Sequence, residues 1–328
     1  MEIVVNGNSV PLERFKQGNS YILEGKAIKE LPNFLDIDGN LILKNTYIRK
    51  IPPKLNVTGD FICDGSKVSK VPGTIKIGGN ISFSGTRVKS FPGTLKVNKN
   101  LNLSNSLLEK LPNNFKVPGT LDVSNTPLTH LPKKLRVGYD LVLDNTKVIS
   151  LPQDIFIGDS LFICNTGFTE LPDNFHITGS LHCDHTNLYS LPDGLRIDKN
   201  LYASWTHIKE IPLDSVINGV IDLSHSRITT IPLDYEFLDD VILSHSKIEV
   251  LPERVKFNKS LDLSHTPMLL LPNRMYVGNN LDLKHTLIPK ISKNVNVLGV
   301  VDIRYTKILS LPKHIKYDHI GYEEEITE

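Results

Sequence analysis

Residues 101–120 read LNLSNSLLEKLPNNFKVPGT, and residues 121–140 read LDVSNTPLTHLPKKLRVGYD. The two segments align without a gap, with apolar residues at the first, third, eighth, eleventh and fifteenth positions and proline at the twelfth. When units start at residues 21, 41 and so on to 301, fifteen consecutive 20-residue units fit with no insertion or deletion. A fixed internal period of this kind predicts a solenoid, in which each unit packs on its two neighbours. Positions 1 to 20 below are counted within a unit.

The alternation within a unit predicts two extended segments per coil. Positions 1 and 3 are apolar and alternate with more polar residues, which is typical of a short strand with one buried face. An aliphatic or aromatic residue at position 11 precedes proline from Leu31-Pro32 to Leu311-Pro312, and the proline is lost only at Ile291-Ser292. Positions 15 and 17 alternate again, so the return side of a 20-residue coil is expected to be extended and to have little room for a helix.

A hydroxyl recurs at position 6. This position is Ser or Thr in every unit from Thr46 to Thr306, and only Lys26 in the first unit departs. A small hydroxyl at a fixed inward corner is expected to bond backbone groups of its own coil and of the next one.

The segment Leu281 to Ile288 reads LDLKHTLI and carries the pattern L-x-L-x-x-T-x-I. It resembles the core signature of the leucine-rich-repeat superfamily, L-x-x-L-x-L-x-x-N-x-L, with Thr in place of Asn. The trailing L-P-x-x-L is similar to the short repeats of bacterial effector proteins and of some bacteriophage proteins. The resemblance covers residues 21–320 and implies a β-rich leucine-rich-repeat solenoid of about fifteen coils. A parallel β-helix is the alternative fold.

The domain organisation follows from the repeat. Residues 1–20 carry Val10-Pro11 and are expected to form an N-terminal cap as a degenerate repeat. Residues 21–320 form the predicted solenoid, and residues 321–328 an acidic C-terminal tail with Glu323, Glu324 and Glu325. No linker and no second domain is expected.

Charge and cysteine content favour some partners and compartments over others. The chain has 37 basic and 36 acidic side chains, so it has no net electrostatic attraction to nucleic acid or to an anionic membrane. The N-terminus lacks a basic region followed by a long apolar run, and the three cysteines do not form a disulfide framework. We therefore expect a cytoplasmic monomer that binds neither nucleic acid nor membrane.

The outward positions of the first strand can be compared from unit to unit. The resemblance implies that this strand face is concave and exposed, and that partners dock there. By alternation, positions 2, 4 and 5 face outward. Position 5 is Asn from Asn105 to Asn165 and then becomes aromatic or His in seven units: His185, Trp205, His225, His245, His265, His285 and Tyr305. Two interpretations stay open, a stacking ladder that stabilises the solenoid and a stripe that binds a partner.

The candidate binding residues lie in this face. Trp205 and Tyr202 are of the types that dominate interface energetics, and an exposed apolar patch often marks an interaction site. The run Asp262, Asp282, Asp302 is expected to steer a basic surface toward the face. The predicted partner-binding set is Phe162, His182, Tyr202, Trp205, His225, Ile242, His245, Asp262, Asp282 and Asp302.

No catalytic, metal or cofactor site is predicted. His182-Cys183-Asp184-His185 contains metal-ligating residue types, but Cys183 falls at core position 3 and points away from His182 and Asp184. The function that we predict is that of a non-enzymatic scaffold for a protein partner. The resemblance implies a phage or bacterial factor that interferes with a host protein. The alternative function is a structural or assembly solenoid, such as a virion or filament component.

Overall fold

The structure is a computed structural model that describes residues 2–317. The predicted acidic tail, residues 321–328, and the last residues of the predicted solenoid, 318–320, lie outside the described residues. The chain divides into two compact units, Met1–Gly167 and Phe168–Glu328. In each unit the chain winds in coils of about 20 residues, so the predicted β-rich solenoid is confirmed.

Each coil contributes a short strand around positions 1 and 2, here called the A strand. A strands of successive coils pair in parallel with residue i opposite residue i+20, as Leu101 does with Leu121. In the first unit the A strands are Ser20–Ile22, Asn40–Ile42, Phe61–Ile62, Ile81–Ser82, Leu101–Asn102, Leu121–Asp122, Leu141–Val142 and Leu161–Phe162. In the second unit they are Leu181–His182, Leu201–Tyr202, Ile221–Asp222, Val241–Ile242, Leu261–Asp262, Leu281–Asp282 and Val300–Asp302.

A second strand on the return side of most coils, here called the B strand, confirms the extended segment predicted around positions 15 and 17. In the first unit the B strands are Phe34–Ile37, Lys54–Val57, Lys76–Ile77, Lys116–Val117, Arg136–Val137 and Phe156–Ile157. In the second unit they are His176–Ile177, Arg196–Ile197, Val216–Ile217, Lys256–Phe257, Tyr276–Val277 and Asn296–Val297. The last strand, Lys316–Tyr317, pairs in parallel with the A strand Val300–Asp302 instead. Within residues 2–317 the helical structure is one 3-10 turn, Leu12–Phe15, and no helix there is long and apolar enough to cross a membrane.

The first residues have a different topology. Glu2–Val5 and Asn8–Pro11 form an antiparallel hairpin. After the 3-10 turn, Lys16–Gln17 pairs antiparallel with the first A strand, Ser20–Ile22. The edge of the first A strand is thus covered by the chain that precedes it.

The core of each unit is a set of stacked apolar columns. Positions 1, 3 and 8 are buried in the coils that the structure describes, and positions 11, 15 and 17 are buried in most of them. Leu121, Val123, Leu128 and Leu135 of one coil are all fully buried. Since full burial of such a side chain contributes about 1.5–3 kcal/mol, contacts between neighbouring coils hold the array together.

The hydroxyl at position 6 is buried in most described coils, and each threonine there donates a hydrogen bond within its own coil. Thr146 Oγ1 donates to the carbonyl of Leu143 at 2.6 Å, and Thr286 Oγ1 to that of Leu283 at 2.7 Å. The bonds of these hydroxyls in the described coils stay within one coil, so the expected bond to the next coil was wrong. The corner geometry explains this, because the nearest acceptor is the carbonyl three residues back.

Side-chain bonds between coils come from other positions, and position 20 supplies several of them. Asp60 Oδ1 accepts the backbone N–H of Asn80 at 2.7 Å. In the second unit Asn200 Oδ1 accepts the N–H of Val220 at 2.9 Å. These bonds satisfy an N–H at the turn where one coil ends and the next begins.

Candidate functional site

The candidate site is the outward face of the A strands of the second unit. After position 2 the chain turns, and from His185 to His285 the N–H of the position-5 residue donates to a carbonyl of the next coil. The bond from His225 to Ser244 is 2.9 Å long. These bonds set the spacing of the position-5 side chains, which we call the ring column: His185, Trp205, His225, His245, His265, His285 and Tyr305.

The backbone of the ring column is in the left-handed region. Trp205 has φ 55°, and Tyr305 has φ 58°. In the first unit the same position is Asn or Gly, with φ 55° at Asn105 and 66° at Gly85. Left-handed backbone costs an ordinary L residue about 1–2 kcal/mol, and a bulky ring in it is rare. The turn itself therefore favours Asn or Gly, and the rings occupy it against the local preference.

The rings of the column stack on one another. The centroids of Trp205 and His225 are 4.0 Å apart, and the four following steps, ending at Tyr305, lie between 4.2 and 4.4 Å. The first step, from His185 to Trp205, is wider at 5.6 Å. Neighbouring planes differ by 7–20°. An aromatic pair contributes about 0.5–1.5 kcal/mol beyond its burial, which offsets part of the backbone cost. The column therefore has the geometry of a stacking ladder, and partner binding by it stays a prediction.

The edges of the rings face solvent. The side chain of Trp205, the single tryptophan of the chain, is 53% exposed, and that of Tyr305 is 56% exposed. Stacking covers the faces of the rings and leaves their edges, with the imidazole nitrogens, to any ligand.

Two imidazoles in the column resist protonation. Partial burial lowers the pKa of His225, and the imidazole of His245 lowers it further, while Asp222 acts in the opposite direction. Burial also lowers the pKa of His265, followed by its histidine neighbours on both sides. A charged ring in this stack lies face to face with other imidazoles, so protonation of one opposes protonation of the next.

The aromatic residues at position 2, His182 and Tyr202, belong to the same coils as His185 and Trp205, the first two members of the ring column. His182 and Tyr202 stack with centroids 4.7 Å apart and planes at 23°. Ile242 is partly exposed in the same column, two coils further on. Phe162 belongs to the last A strand of the first unit. The other members of the predicted set all lie in the second unit.

The aspartates at position 2 have a local folding role. Asp262 Oδ1 accepts the N–H of Ser264 at 2.8 Å, and Asp282 Oδ1 accepts that of Lys284 at 2.9 Å. Such side chains stabilise a turn by bonding the backbone two residues on. Their recurrence in this column therefore has an explanation without a ligand.

Ion pairs neutralise the end of the acidic run. Lys284 Nζ lies 2.9 Å from a carboxylate oxygen of Asp282 and 3.9 Å from one of Asp302. Arg304 binds Asp302 at 2.6 Å. Two of the three carboxylates expected to steer a basic surface thus already have a cation beside them, which the sequence pattern at position 2 alone did not reveal.

The arrangement is unsuited to a metal ion. Among residues 2–317 no group of three or more His, Cys, Asp or Glu side chains could hold one. Stacked, nearly parallel imidazoles direct their nitrogen lone pairs side by side, whereas zinc needs ligands that converge. Cys183 is fully buried and His182 is partly exposed, which is the opposed orientation expected from the alternation.

The outward positions of the A strand did not predict an exposed apolar patch, which lies at positions 7 to 10. Val250, Leu269, Leu270 and Leu287 are all at least half exposed. The run of three leucines before Pro272 is the signal that could have revealed it, because positions 9 and 10 are polar in most other units.

Comparison with known proteins concerns the fold. No family model matches the sequence, and no curated protein is similar to it. Among solved structures, YopM, a leucine-rich effector protein from Yersinia pestis, is similar with a TM-score of 0.50 at 17% identity over 85% of this chain and 88% of YopM. The leucine-rich-repeat protein LIC12759 from Leptospira interrogans is similar with a TM-score of 0.50 at 15% identity over 92% of this chain and 95% of LIC12759. This chain has the leucine-rich-repeat fold. At these identities the likeness concerns the fold alone, and it favours the leucine-rich-repeat fold over the alternative parallel β-helix.

Proposed function

We propose that the chain is a non-enzymatic scaffold that binds a protein partner on the A-strand face of its second unit, around Tyr202 and Trp205. The observation that carries this proposal is the backbone of Trp205. A half-exposed indole occupies a left-handed turn position that Asn and Gly fill in the first unit.

The energies support a role beyond folding. Left-handed backbone at Trp205 costs about 1–2 kcal/mol. Its one close stack, on His225, returns about 0.5–1.5 kcal/mol, and the 5.6 Å step to His185 returns less. Folding gains little from a ring at this position, so a gain on binding explains its presence better. Backbone strain of this kind is common at functional sites.

The neighbourhood of Trp205 suits a protein interface. Tyr202 and His182 form a second stacked pair beside it, and Ile242 adds an aliphatic surface two coils on. A few aromatic anchors among polar groups are typical of the centre of an interface. The remaining predicted contacts of the second unit, at His225, His245, Asp262, Asp282 and Asp302, would lie along the same face. Phe162, in the first unit, stays a predicted contact by itself.

The proposed biological setting is a phage or bacterial factor that acts on a host protein. The short L-P repeats support this setting through their resemblance to repeats of bacterial effector and bacteriophage proteins. The similarity of the fold to that of YopM is compatible with this setting and does not identify a partner.

Affinity capture with the purified chain as bait, followed by cross-linking of the captured protein, tests the proposal. The test variant Trp205→Asn/Tyr202→Ser uses residues that the first unit has at the same positions, as in Asn105 and Ser82. We expect it to weaken binding at least about 30-fold, equivalent to about 2 kcal/mol. The control variant is Tyr139→Lys, which removes an exposed aromatic far from the ring column in sequence and should bind normally. Cross-links confined to the B strands, or full binding by the double variant, would refute the proposal.

A further inference from the structure

The ring column offers closely spaced hydrogen-bond donors whose number depends on protonation. A neutral imidazole has one N–H donor, and an imidazolium has two. His225, His245 and His265 follow one another at centroid distances of 4.3 and 4.2 Å with nearly parallel planes. Their ring edges therefore present nitrogen atoms in a row along the face.

Repulsion between neighbouring positive charges opposes the protonation of successive rings in such a row. A bound anion offsets this repulsion. A carboxylate is suited to this role, because its two oxygens can each accept from the N–H of one of two successive rings. Anion binding and proton uptake are then linked, so each favours the other.

The fixed charges around the column are of both signs, so they do not mask the positive charge that the column gains on protonation. The carboxylates beside it are Asp184, Asp222, Asp262, Asp282 and Asp302, and the last two have Lys284 and Arg304 beside them. The turn that follows the column carries, at position 7, the titratable or basic side chains His207, Arg227, Lys247 and Lys307. At neutral pH the opposite fixed charges nearly balance, and every proton that the column takes up makes the face more cationic.

We propose that the ring column captures an extended, carboxylate-rich segment of a protein partner, and that this capture is coupled to protonation of the column's imidazoles. The inference rests on the proposed function and names the partner's chemistry and its pH dependence. An acidic chain complements a face that gains positive charge, whereas a basic chain, the partner expected from Asp262, Asp282 and Asp302, is repelled as the face protonates.

An oligo-aspartate peptide serves as the probe. The column makes six steps of about 4.8 Å, roughly 29 Å, which an extended chain of about nine residues spans at about 3.3 Å per residue. Aspartate keeps its charge at about pH 5.5, where imidazoles begin to protonate. Binding is measured by calorimetry at low salt at about pH 7.5 and about pH 5.5, with oligo-lysine of the same length as the control peptide.

The matched variant changes His225, His245 and His265 to Asn. Asn occupies the same left-handed turn in the first unit, so this variant removes the titrating groups and keeps the backbone. The control variant changes three histidines outside the column, His130, His176 and His314, to Asn. We expect oligo-aspartate to bind the wild type and the control variant at least about tenfold more tightly at the lower pH, and the column variant to lose this gain.

Trp205 supplies a second measurement on the wild type. Its indole stacks on His225, and a protonated imidazole quenches indole fluorescence more strongly than a neutral one. The pH midpoint of the Trp205 signal should move upward when oligo-aspartate is added, and oligo-lysine should not raise it.

Equal affinity for oligo-aspartate at both pH values, no binding at either, or a column variant that keeps the acid-dependent gain would each overturn this inference. The proposed function fails separately, when the Trp205→Asn/Tyr202→Ser variant keeps its protein partner. The peptide measurement needs only the purified chain, so the two failures are distinguishable.

Discussion

The indole of Trp205 lies face to face with the imidazole of His225, with ring centroids 4.0 Å apart and planes 9° apart. Both residues have φ 55°, in the left-handed region. Stacking therefore acts against backbone strain within the same pair of residues, and substitutions can separate the two effects.

Trp205→Asn should change the free energy of unfolding by less than about 1 kcal/mol, because Asn tolerates the turn while the stacking is lost. Trp205→Ala should be less stable than Trp205→Asn, since Ala loses the stacking and keeps the strained backbone. Urea denaturation of the two variants beside the wild type measures both differences. An Ala variant as stable as the Asn variant would show that the left-handed turn costs little here.

Stability should fall as the solution becomes mildly acidic. The pKa values of His225 and His265 are lowered in the folded chain, chiefly by burial and then by neighbouring imidazoles. Well above about pH 6.5 both residues are neutral in the folded and the unfolded chain and contribute nothing to the pH dependence. Below it the unfolded chain takes up protons first, so the free energy of unfolding declines until the pH passes below the folded pKa values.

Urea denaturation between about pH 7.5 and 5 measures this decline. The variant His225→Asn/His265→Asn should show a shallower decline than the wild type. The same slope in both proteins would assign the acid sensitivity to groups outside the ring column.

Thr146→Val tests the hydroxyl corner. The buried Oγ1 of Thr146 donates to the carbonyl of Leu143, which also accepts the N–H of Thr146 at 3.1 Å. Since the carbonyl keeps one partner, we expect a loss of about 1 kcal/mol in the free energy of unfolding. Thr169→Val, at an exposed position, is the control and should change stability little. A Thr146→Val melting temperature equal to that of the wild type would contradict a structural role for the hydroxyl.

Asp60 allows a test of the position-20 bonds between coils. Its Oδ1 accepts both the backbone N–H and the side-chain amide of Asn80, at 2.7 and 3.0 Å. Asp60→Ala should destabilise the first unit by about 1–2 kcal/mol, whereas Asp60→Asn keeps an acceptor and should lose less. Hydrogen exchange at the amide of Asn80 reports the bond directly, and it should speed up in the Ala variant alone.

Zinc should leave thermal stability unchanged. The stacked rings of His225, His245 and His265 have their nitrogens side by side, so they do not provide convergent ligands. A metal that binds only the folded chain would raise the melting temperature by mass action. A rise of several degrees with stoichiometric zinc, abolished in His245→Asn, would show that the rings rotate to form a site.

The fold was predictable from the sequence because its determinants are local and repeated. Apolar residues at positions 1 and 3, as in Leu121 and Val123, specify a strand with one buried face, and apolar residues recur there in every coil. The extended B side followed from positions 15 and 17 in the same way. The direction of the position-6 bond was not predictable, because it depends on how close the turn brings Thr146 Oγ1 to the carbonyl of Leu143.

The candidate site was predictable in part. Alternation placed Tyr202 and Trp205 outward, since that needs only the period of the strand. It could not show the left-handed backbone at Trp205, although the run of Asn and Gly at the same position in the first unit carried that information. Nor could it show that Lys284 and Arg304 neutralise Asp282 and Asp302, because pairing of side chains two residues apart in one coil depends on rotamers and not on the repeat spacing.

The constant length of the coil has a consequence for how such a chain can change over generations. Because residues i and i+20 are interchangeable in the backbone pairing, recombination between two coils of one gene adds or removes a whole rung in register. The row of rings from His225 to His285 could lengthen or shorten by this route without any change in the apolar core. The reach of the surface, and with it the avidity for a long ligand, would then change in steps of one coil.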